Sequence, residues 1–281
     1  MKKQDVLDID WGLKPLHDKM KEMLCYVHDF CVTNGLEYCL AYGTALGAAR
    51  HKGFIPWDDD VDIYMTENSY RRFKELFENS GDKNKYFFQE LDEIDGLVSL
   101  TKIRMNGTTY IEPLYRNANV HQGIYIDIFI LHKAPRSTLR RKIMCLANQY
   151  LVLKGLSNRR YKGKRAYIPL LAFMRLFPKN FLRKIALKCV YEYDGIASEN
   201  FFDNDLRYYK KSFYPSRYVF PAKLVEFDGV SLYAPGELDT YLKWVYGDYH
   251  KLPTYEMIKR SQHAAKWDVE TDYKFFINGL G

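Results

Sequence analysis

The sequence of 281 residues predicts an α+β fold. Helix-like and strand-like patterns both occur, without the regular alternation that builds a parallel βαβ sheet. An alternation of acidic and apolar residues over 60–65 reads as a strand. Asp228-Gly229 between two apolar runs is a hairpin-turn signal. The chain is 47% hydrophobic and 27% charged, which excludes a mainly disordered, collagenous or coiled-coil polypeptide.

The elements follow in order. Leu13, Leu16, Met20, Leu24, Val27 and Cys31 recur at helical spacing and Gly35 supplies a stop, so 12–34 is expected to be an amphipathic helix. Residues 37–42 form a short apolar strand, and 43–51 a tight turn entering a short helix. The strand over 60–65 is followed by a helix over 69–79. Strands are expected over 85–91, 97–105 and 123–131. Two or three helices then cover 137–155 and 165–193, broken by Pro169 and Pro178. The hairpin spans 225–233, and a helix over 235–246 opens near Pro235 and closes at Gly247.

Charge divides the chain unevenly. The formal net charge is +7, yet residues 128–191 hold 16 Lys or Arg and no Asp or Glu, while the remaining 217 residues carry 26 basic and 35 acidic groups. An acidic body with a basic insert argues against a broad nucleic-acid footprint, so no nucleic-acid partner is expected. The insert also mixes apolar and basic residues without acids, the pattern of helices that lie on anionic membranes, so peripheral contact through 133–188 is expected. A solvated helical subdomain is the alternative. The domain reading is a catalytic core of 1–131 and 217–281 with a helical insert of 132–216.

The five cysteines, Cys25, Cys31, Cys39, Cys145 and Cys189, are odd in number and lack Cys-x-x-Cys spacing. That suits a reducing compartment and opposes a disulfide framework or structural zinc. The N-terminus lacks the apolar core of a signal peptide, and no run approaches the ~18 residues of a membrane span. A cytoplasmic protein, peripheral at the inner face of the cell membrane, is expected.

The sharpest feature runs from Tyr42 to Ile63. On a strand, Asp60 and Asp62 share one face while Val61 and Ile63 point into a core. Two carboxylates on one face repel unless a cation lies between them, and oxygen ligands favour Mg²⁺, Mn²⁺ or Ca²⁺ over zinc. Gly43-Thr44 opens a helix whose free N–H groups suit phosphate. Arg50, His51 and Lys52 can neutralise phosphate charge, or form a solvated basic turn. Asp127 is a lone acid in the apolar strand 123–131, costly there unless paired or metal-bound, and it is the candidate third ligand or general base. Lys102 and Arg104 share one face of a strand and can reach phosphate oxygens, or form a solvated face. No P-loop spacing is present.

These residues resemble the LicD family, the phosphorylcholine transferases of bacterial surface polymers, to which fukutin and fukutin-related protein are distantly related. The resemblance lies in Gly43-Thr44 through Arg50-His51-Lys52-Gly53-Phe54-Ile55-Pro56-Trp57-Asp58-Asp59-Asp60-Val61-Asp62. It continues in Lys102-Ile103-Arg104, Thr108-Thr109-Tyr110, Ile126-Asp127-Ile128-Phe129 and Tyr246-Gly247-Asp248-Tyr249 with Leu252-Pro253. It implies a nucleotidyltransferase-like mixed sheet flanked by helices, with Asp60, Asp62 and Asp127 as metal-binding and catalytic acids. Thr44 stands where that superfamily has Ser and keeps the hydroxyl. The longer spacing from Thr44 to Asp60 implies a loop carrying Trp57, Asp58 and Asp59 near the substrate.

The implied reaction transfers phosphorylcholine from CDP-choline to a sugar hydroxyl of a glycan or lipid-linked glycan, with Mg²⁺ or Mn²⁺ as cofactor. The acceptor class would be teichoic acid, lipopolysaccharide or a capsule precursor. Transfer of ribitol- or glycerol-phosphate from a CDP-polyol is the alternative, and a non-catalytic polymer- or membrane-binding module is a second. Trp57 is the first aromatic to consider for a choline cage, although a large aromatic before a strand is more often a core residue.

Overall fold

The computed structural model describes residues 6–90, 101–113, 115, 119–157, 168–169, 172–173, 179–203, 209 and 211–278. The helices are α1 (Lys14–Thr33), α2 (Tyr42–His51), α3 (Glu67–Ser80), α4 (Thr138–Ser157), α5 (Lys179–Tyr191), α6 (Leu238–Tyr246), α7 (Tyr255–Ser261) and α8 (Tyr273–Asn278). The strands are β1 (Tyr38–Leu40), β2 (Asp62–Thr66), β3 (Tyr86–Gln89), β4 (Thr101–Met105), β5 (Thr109–Ile111), β6 (Tyr125–Lys133), β7 (Asn200–Phe202), β8 (Phe213–Pro215), β9 (Lys223–Phe227), β10 (Val230–Ala234) and β11 (Lys266–Asp268). Helices and a mixed sheet coexist without βαβ alternation, so the α+β expectation holds. Residues 91–100 and most of 158–178 lie outside the described residues, and with them the start of the expected strand 97–105 and part of the helix 165–193.

The main sheet has the order β1-β2-β6-β4-β3, with β7 added to the far end of β6 and β8 to β7. β2 and β6 are parallel, and the other neighbours on that path are antiparallel. Strands β7 and β8, which the sequence patterns did not indicate, tie residues 200–215 directly to this sheet. One face of the sheet is apolar: Val61, Ile63, Met65, Ile103, Ile126 and Ile128 are buried. Helix α1 reaches it with Leu16, Met20, Met23, Leu24 and Val27, and α3 with Phe73 and Phe77. Thr66 caps α3 by accepting the Ser69 N–H. The hairpin turns at Asp228 and Gly229, both at positive φ (50° and 80°), as the Asp-Gly signal predicts.

The helix expected over 235–246 starts later, at Leu238, because residues 235–237 belong to a turn in which the Gly236 N–H donates to the Val219 carbonyl. The helices of the insert rest on a smaller apolar cluster of Ala134, Met144, Val190, Tyr193, Phe202 and Phe213. Among the described residues, no helix is long and apolar enough to cross a membrane.

A buried acid organises the opposite sheet face. Asp203, on the turn after β7, accepts hydrogen bonds from the hydroxyls of Tyr42 (2.6 Å), Tyr64 (2.5 Å) and Tyr214 (3.3 Å). The Tyr241 hydroxyl donates to the Tyr64 hydroxyl and accepts the Tyr42 N–H, both at 3.1 Å. This network joins α2, β2, β7, β8 and α6. Burial and then the Asp203 charge hold the Tyr64 phenol well above its ordinary range, so it stays a donor. Removing the acid leaves three buried hydroxyls without their acceptor. Asp203→Ala is therefore expected to destabilise the protein by about 3 kcal/mol, read as a lower urea midpoint at unchanged slope; a shift under about 1 kcal/mol would contradict this role.

Candidate active site

The site forms where β2 and β6 begin. Asp62 and Asp127 are register partners on these parallel strands, so their side chains share one sheet face. Lys102 is the register partner of Asp127 on β4, and Gln89 of Lys102 on β3. A row of polar groups thus crosses a sheet whose other face is apolar. Asp60 precedes β2 instead of lying on it: the strand begins at Asp62, and Asp60 belongs to the extended lead-in.

Each acid has a different environment. Lys102 Nζ lies 2.8 Å from Asp127 Oδ1 and 3.6 Å from Glu112 Oε2, and sits 3.4 Å from the centre of the Tyr125 ring. Asp127 Oδ1 is nonetheless buried without a well-directed hydrogen bond. Burial pushes the Asp127 carboxyl up, and Lys102 only partly offsets this. Asp60 is raised to about 6, chiefly by burial, with His263 acting against that and Asp59 and Asp127 adding to it. Asp58 is pushed well above the carboxylate range by burial and then by Asp60 and Asp59. The acids are under-compensated by the cations around them.

Helix α2 supplies the wall beside them. Thr44 Oγ1 accepts the Asp62 N–H at 2.9 Å, so its hydroxyl pins the start of β2. A Cβ on Gly43 would fall 2.6 Å from Asp58 Oδ2, so glycine is what admits this carboxylate to the helix start. Gly47 is needed as well, since a Cβ there would lie 2.4 Å from the Gly53 carbonyl oxygen. Tyr42 opens the helix at φ 37°, a strained value for a side chain of its size, held by the Asp203 network.

Other expected contacts turn elsewhere. Arg104 is 1% exposed and spends its donors on Gln89 Oε1 (2.6 Å), the Gly123 carbonyl (2.9 Å) and Glu112 (3.5 Å), so it frames the strand pair and offers no free donor edge. Lys52 caps α2 in the left-handed region and pairs at 3.4 Å with Glu226 on β9. Arg50 donates to His51 Nε2 (2.9 Å) and the Tyr249 carbonyl (3.1 Å), with Asp58 near enough to favour its charge. His51, desolvated beside Arg50, is lowered to about 4 and is neutral. Trp57 is 5% exposed and meets Trp11 edge-on, with His51 and Arg50 on its ring, so it packs the loop.

Asp59 has a structural task. Its carboxylate accepts the His263 N–H (2.9 Å) and the Ala264 N–H (2.9 Å), with His263 Nδ1 at 3.3 Å. Burial opposes its ionisation, but these donors prevail and hold it below the ordinary carboxylate range. The clamp brings His263 to 3.2 Å from Asp60 Oδ2, and the two acids raise the imidazole to about 9. Asp59, Asp60 and His263 present ligand atoms within 4.8 Å of one another. The sequence left His263 unassigned; 203 residues separate it from Asp60, and no local spacing links them.

Residues 35–169 match the family model described as LicD/FKTN/FKRP, nucleotidyltransferase domain. The chain carries a LicD-family domain. It is 26% identical over 263 residues to the lipopolysaccharide cholinephosphotransferase LicD of Haemophilus influenzae, covering 87% of this chain and 95% of that protein. An uncharacterised protein of Rickettsia prowazekii is 29% identical over 129 residues, 46% of this chain and 38% of its own. The LicD match takes in α2, β2, β4 and β6, the elements that carry Gly43, Thr44, Asp62, Lys102 and Asp127.

The Asp59 clamp has a direct readout. Asp59→Ala is expected to speed amide hydrogen exchange at His263 and Ala264 by about tenfold or more, in line with loss of charge-assisted bonds of about 1.5–3 kcal/mol. Unchanged exchange would show that the C-terminal segment is held by other contacts.

Proposed function

We propose that the chain is a metal-dependent phosphotransferase that moves phosphorylcholine from CDP-choline to a sugar hydroxyl of a cell-surface glycan. The observation that supports this reading is the in-register pairing of Asp62 with Asp127 on two parallel strands, with Asp60 two residues upstream and Gly43 and Thr44 opening a helix beside them. The name of the Haemophilus relative supports a lipopolysaccharide acceptor. The cysteine pattern supports a cytoplasmic setting.

The residues fit a hard divalent cation, Mg²⁺ or Mn²⁺. The donors are carboxylates with one imidazole nearby, burial raises Asp58, Asp60 and Asp127, and Asp127 Oδ1 lacks a directed donor. Asp60 and Asp62 would hold the ion, and when bound it supplies charge neutralisation on the donor diphosphate. The Arg50 guanidinium, beside Asp58 at the Gly43 helix start, would meet the same negative charge. Asp127, raised by burial and kept ionisable by Lys102, accepts the proton of the attacking hydroxyl. The hydroxyl oxygen forms a bond to the phosphorus bearing choline, the bond from that phosphorus to the CMP oxygen breaks, and CMP leaves with the electron pair. Thr44 acts by fixing the backbone of Asp62.

The test follows transfer from CDP-choline, CDP-ribitol and CDP-glycerol in parallel to a lipopolysaccharide acceptor, with and without chelator. Choline transfer that chelator abolishes is expected, with Asp62→Ala lowering kcat by about 10³-fold. Activity of Asp62→Ala within a few fold of wild type would remove the metal mechanism, and preference for a polyol donor would replace choline as the transferred alcohol.

A further inference from the structure

Helices α4 and α5 carry none of the site residues, yet they concentrate the basic surplus of the chain. Each buries one side: Met144 of α4 and Val190 of α5 pack with Phe202 and Phe213 of β7 and β8. The opposite sides are apolar as well, and they are open. On α4, Leu139, Ile143 and Leu146 fall at i, i+4 and i+7, one stripe, with Leu139 at 68% exposed and Leu146 at 64%. On α5, Phe181, Leu182 and Ile185 form a second stripe, with Phe181 at 69%. An amphipathic helix in a globular protein leaves its outer face polar; these two are apolar on both sides.

The edges of the stripes name the occupant. Exposed Lys142 flanks the first, and exposed Lys184 and Lys188 flank the second. Residues 128–191 hold 16 Lys or Arg and not one Asp or Glu, so these flanking lysines meet no acid of their own segment. A protein partner covering such stripes needs apolar contact alone. A nucleic acid or soluble polyanion needs the lysines but is poorly served by exposed Phe, Ile and Leu. A bilayer bearing anionic headgroups uses both: acyl chains receive the apolar residues while headgroup charges meet the lysines. Ile168 and Phe173, in the stretch between the two helices, are exposed apolar residues of the same kind.

We propose that α4 and α5 form a membrane-docking surface that seats Leu139, Ile143, Leu146, Phe181, Leu182 and Ile185 in the headgroup region of an anionic bilayer. The sheet site then works beside the membrane, and its acceptor reaches it from the lipid surface. That last step rests on the transferase reading; the docking surface does not.

The experiment is co-sedimentation of the full chain with vesicles of phosphatidylcholine alone or mixed with phosphatidylglycerol, at low and high salt. Anionic vesicles are expected to bind about tenfold or more tightly than neutral ones, with the preference weakened by salt. Two variants separate the contributions, both at exposed positions and both checked for unchanged circular dichroism and Tm. Ile143→Ser with Phe181→Ser is expected to lose binding at every salt concentration, and Lys142→Glu, Lys184→Glu with Lys188→Glu to lose the anionic preference. Equal binding to both vesicles, no binding, or undiminished binding by the variants would overturn the proposal. So would a concentration-dependent dimer that Phe181→Ser dissolves, because a second copy would then cover the stripes. Vesicle binding is read without turnover, so a failure of the transferase chemistry leaves this result untouched.

Discussion

Asp62 and Asp127 are register partners where β2 and β6 begin, Asp58 and Asp60 lie half-buried in the lead-in to β2, and desolvation raises Asp58, Asp60 and Asp127. Like charges held this close in a low-dielectric setting raise one another's cost of ionisation. The surrounding architecture reads as a response to that cost. Lys102 is buried against Asp127, Glu112 is shared by Lys102 and Arg104, and Arg104 is locked by Gln89 and the Gly123 carbonyl. His263 arrives from the C-terminal segment to face Asp60, held by the Asp59 clamp. The compensation is incomplete, and that incompleteness makes the cluster a fit for a divalent cation.

Helix α2 is bracketed by two acid systems. At its first residue, Tyr42 is drawn by hydroxyl and N–H into the Asp203 network. One residue on, Gly43 makes room for Asp58, and Thr44 then fastens the Asp62 N–H. Three consecutive residues therefore serve three aspartates, the third through its backbone N–H. The strained φ of Tyr42 is tolerated because bonds on both sides over-determine it. The same network joins β7 and β8 to α2, so the segment that follows the basic insert takes part in aligning the site.

Much of this was legible in the sequence because it rests on local patterns. The period of Leu16, Met20, Leu24 and Val27 marks α1, Asp-Gly marks the β9–β10 turn, and the lone Asp127 in an apolar run marks the site. Asp60 and Asp62 were read as one strand face, but the strand starts at Asp62, whose N–H goes to Thr44, and Asp60 stays in the lead-in. Arg104 and Trp57 could not be assigned from sequence. A basic residue on a strand face and an aromatic in a loop look alike whether buried or open; only the tertiary partners, Gln89 with Glu112 and Trp11, decide. Asp203 was missed and His263 left unassigned for the same reason. Each acts on residues 139 or more positions away, apart from the Tyr214 contact, and each sits in a polar stretch without periodicity. Strands β5, β7, β8 and β11 escaped because three residues are too few to show an alternation, and unlike β1 they do not sit in a longer run that the sequence marks as apolar.

The average net charge described neither half of this molecule. The acidic body assembles a carboxylate site around a mixed sheet, while the basic helices turn apolar stripes outward. The central claim is that the acids cohere as a cation site, and calorimetric titration with Mn²⁺ tests it most directly. Saturable binding in the wild type, weakened by about 100-fold or more in Asp62→Ala and in Asp127→Ala of unchanged Tm, is the predicted result. Equal Mn²⁺ affinity in all three proteins would contradict it.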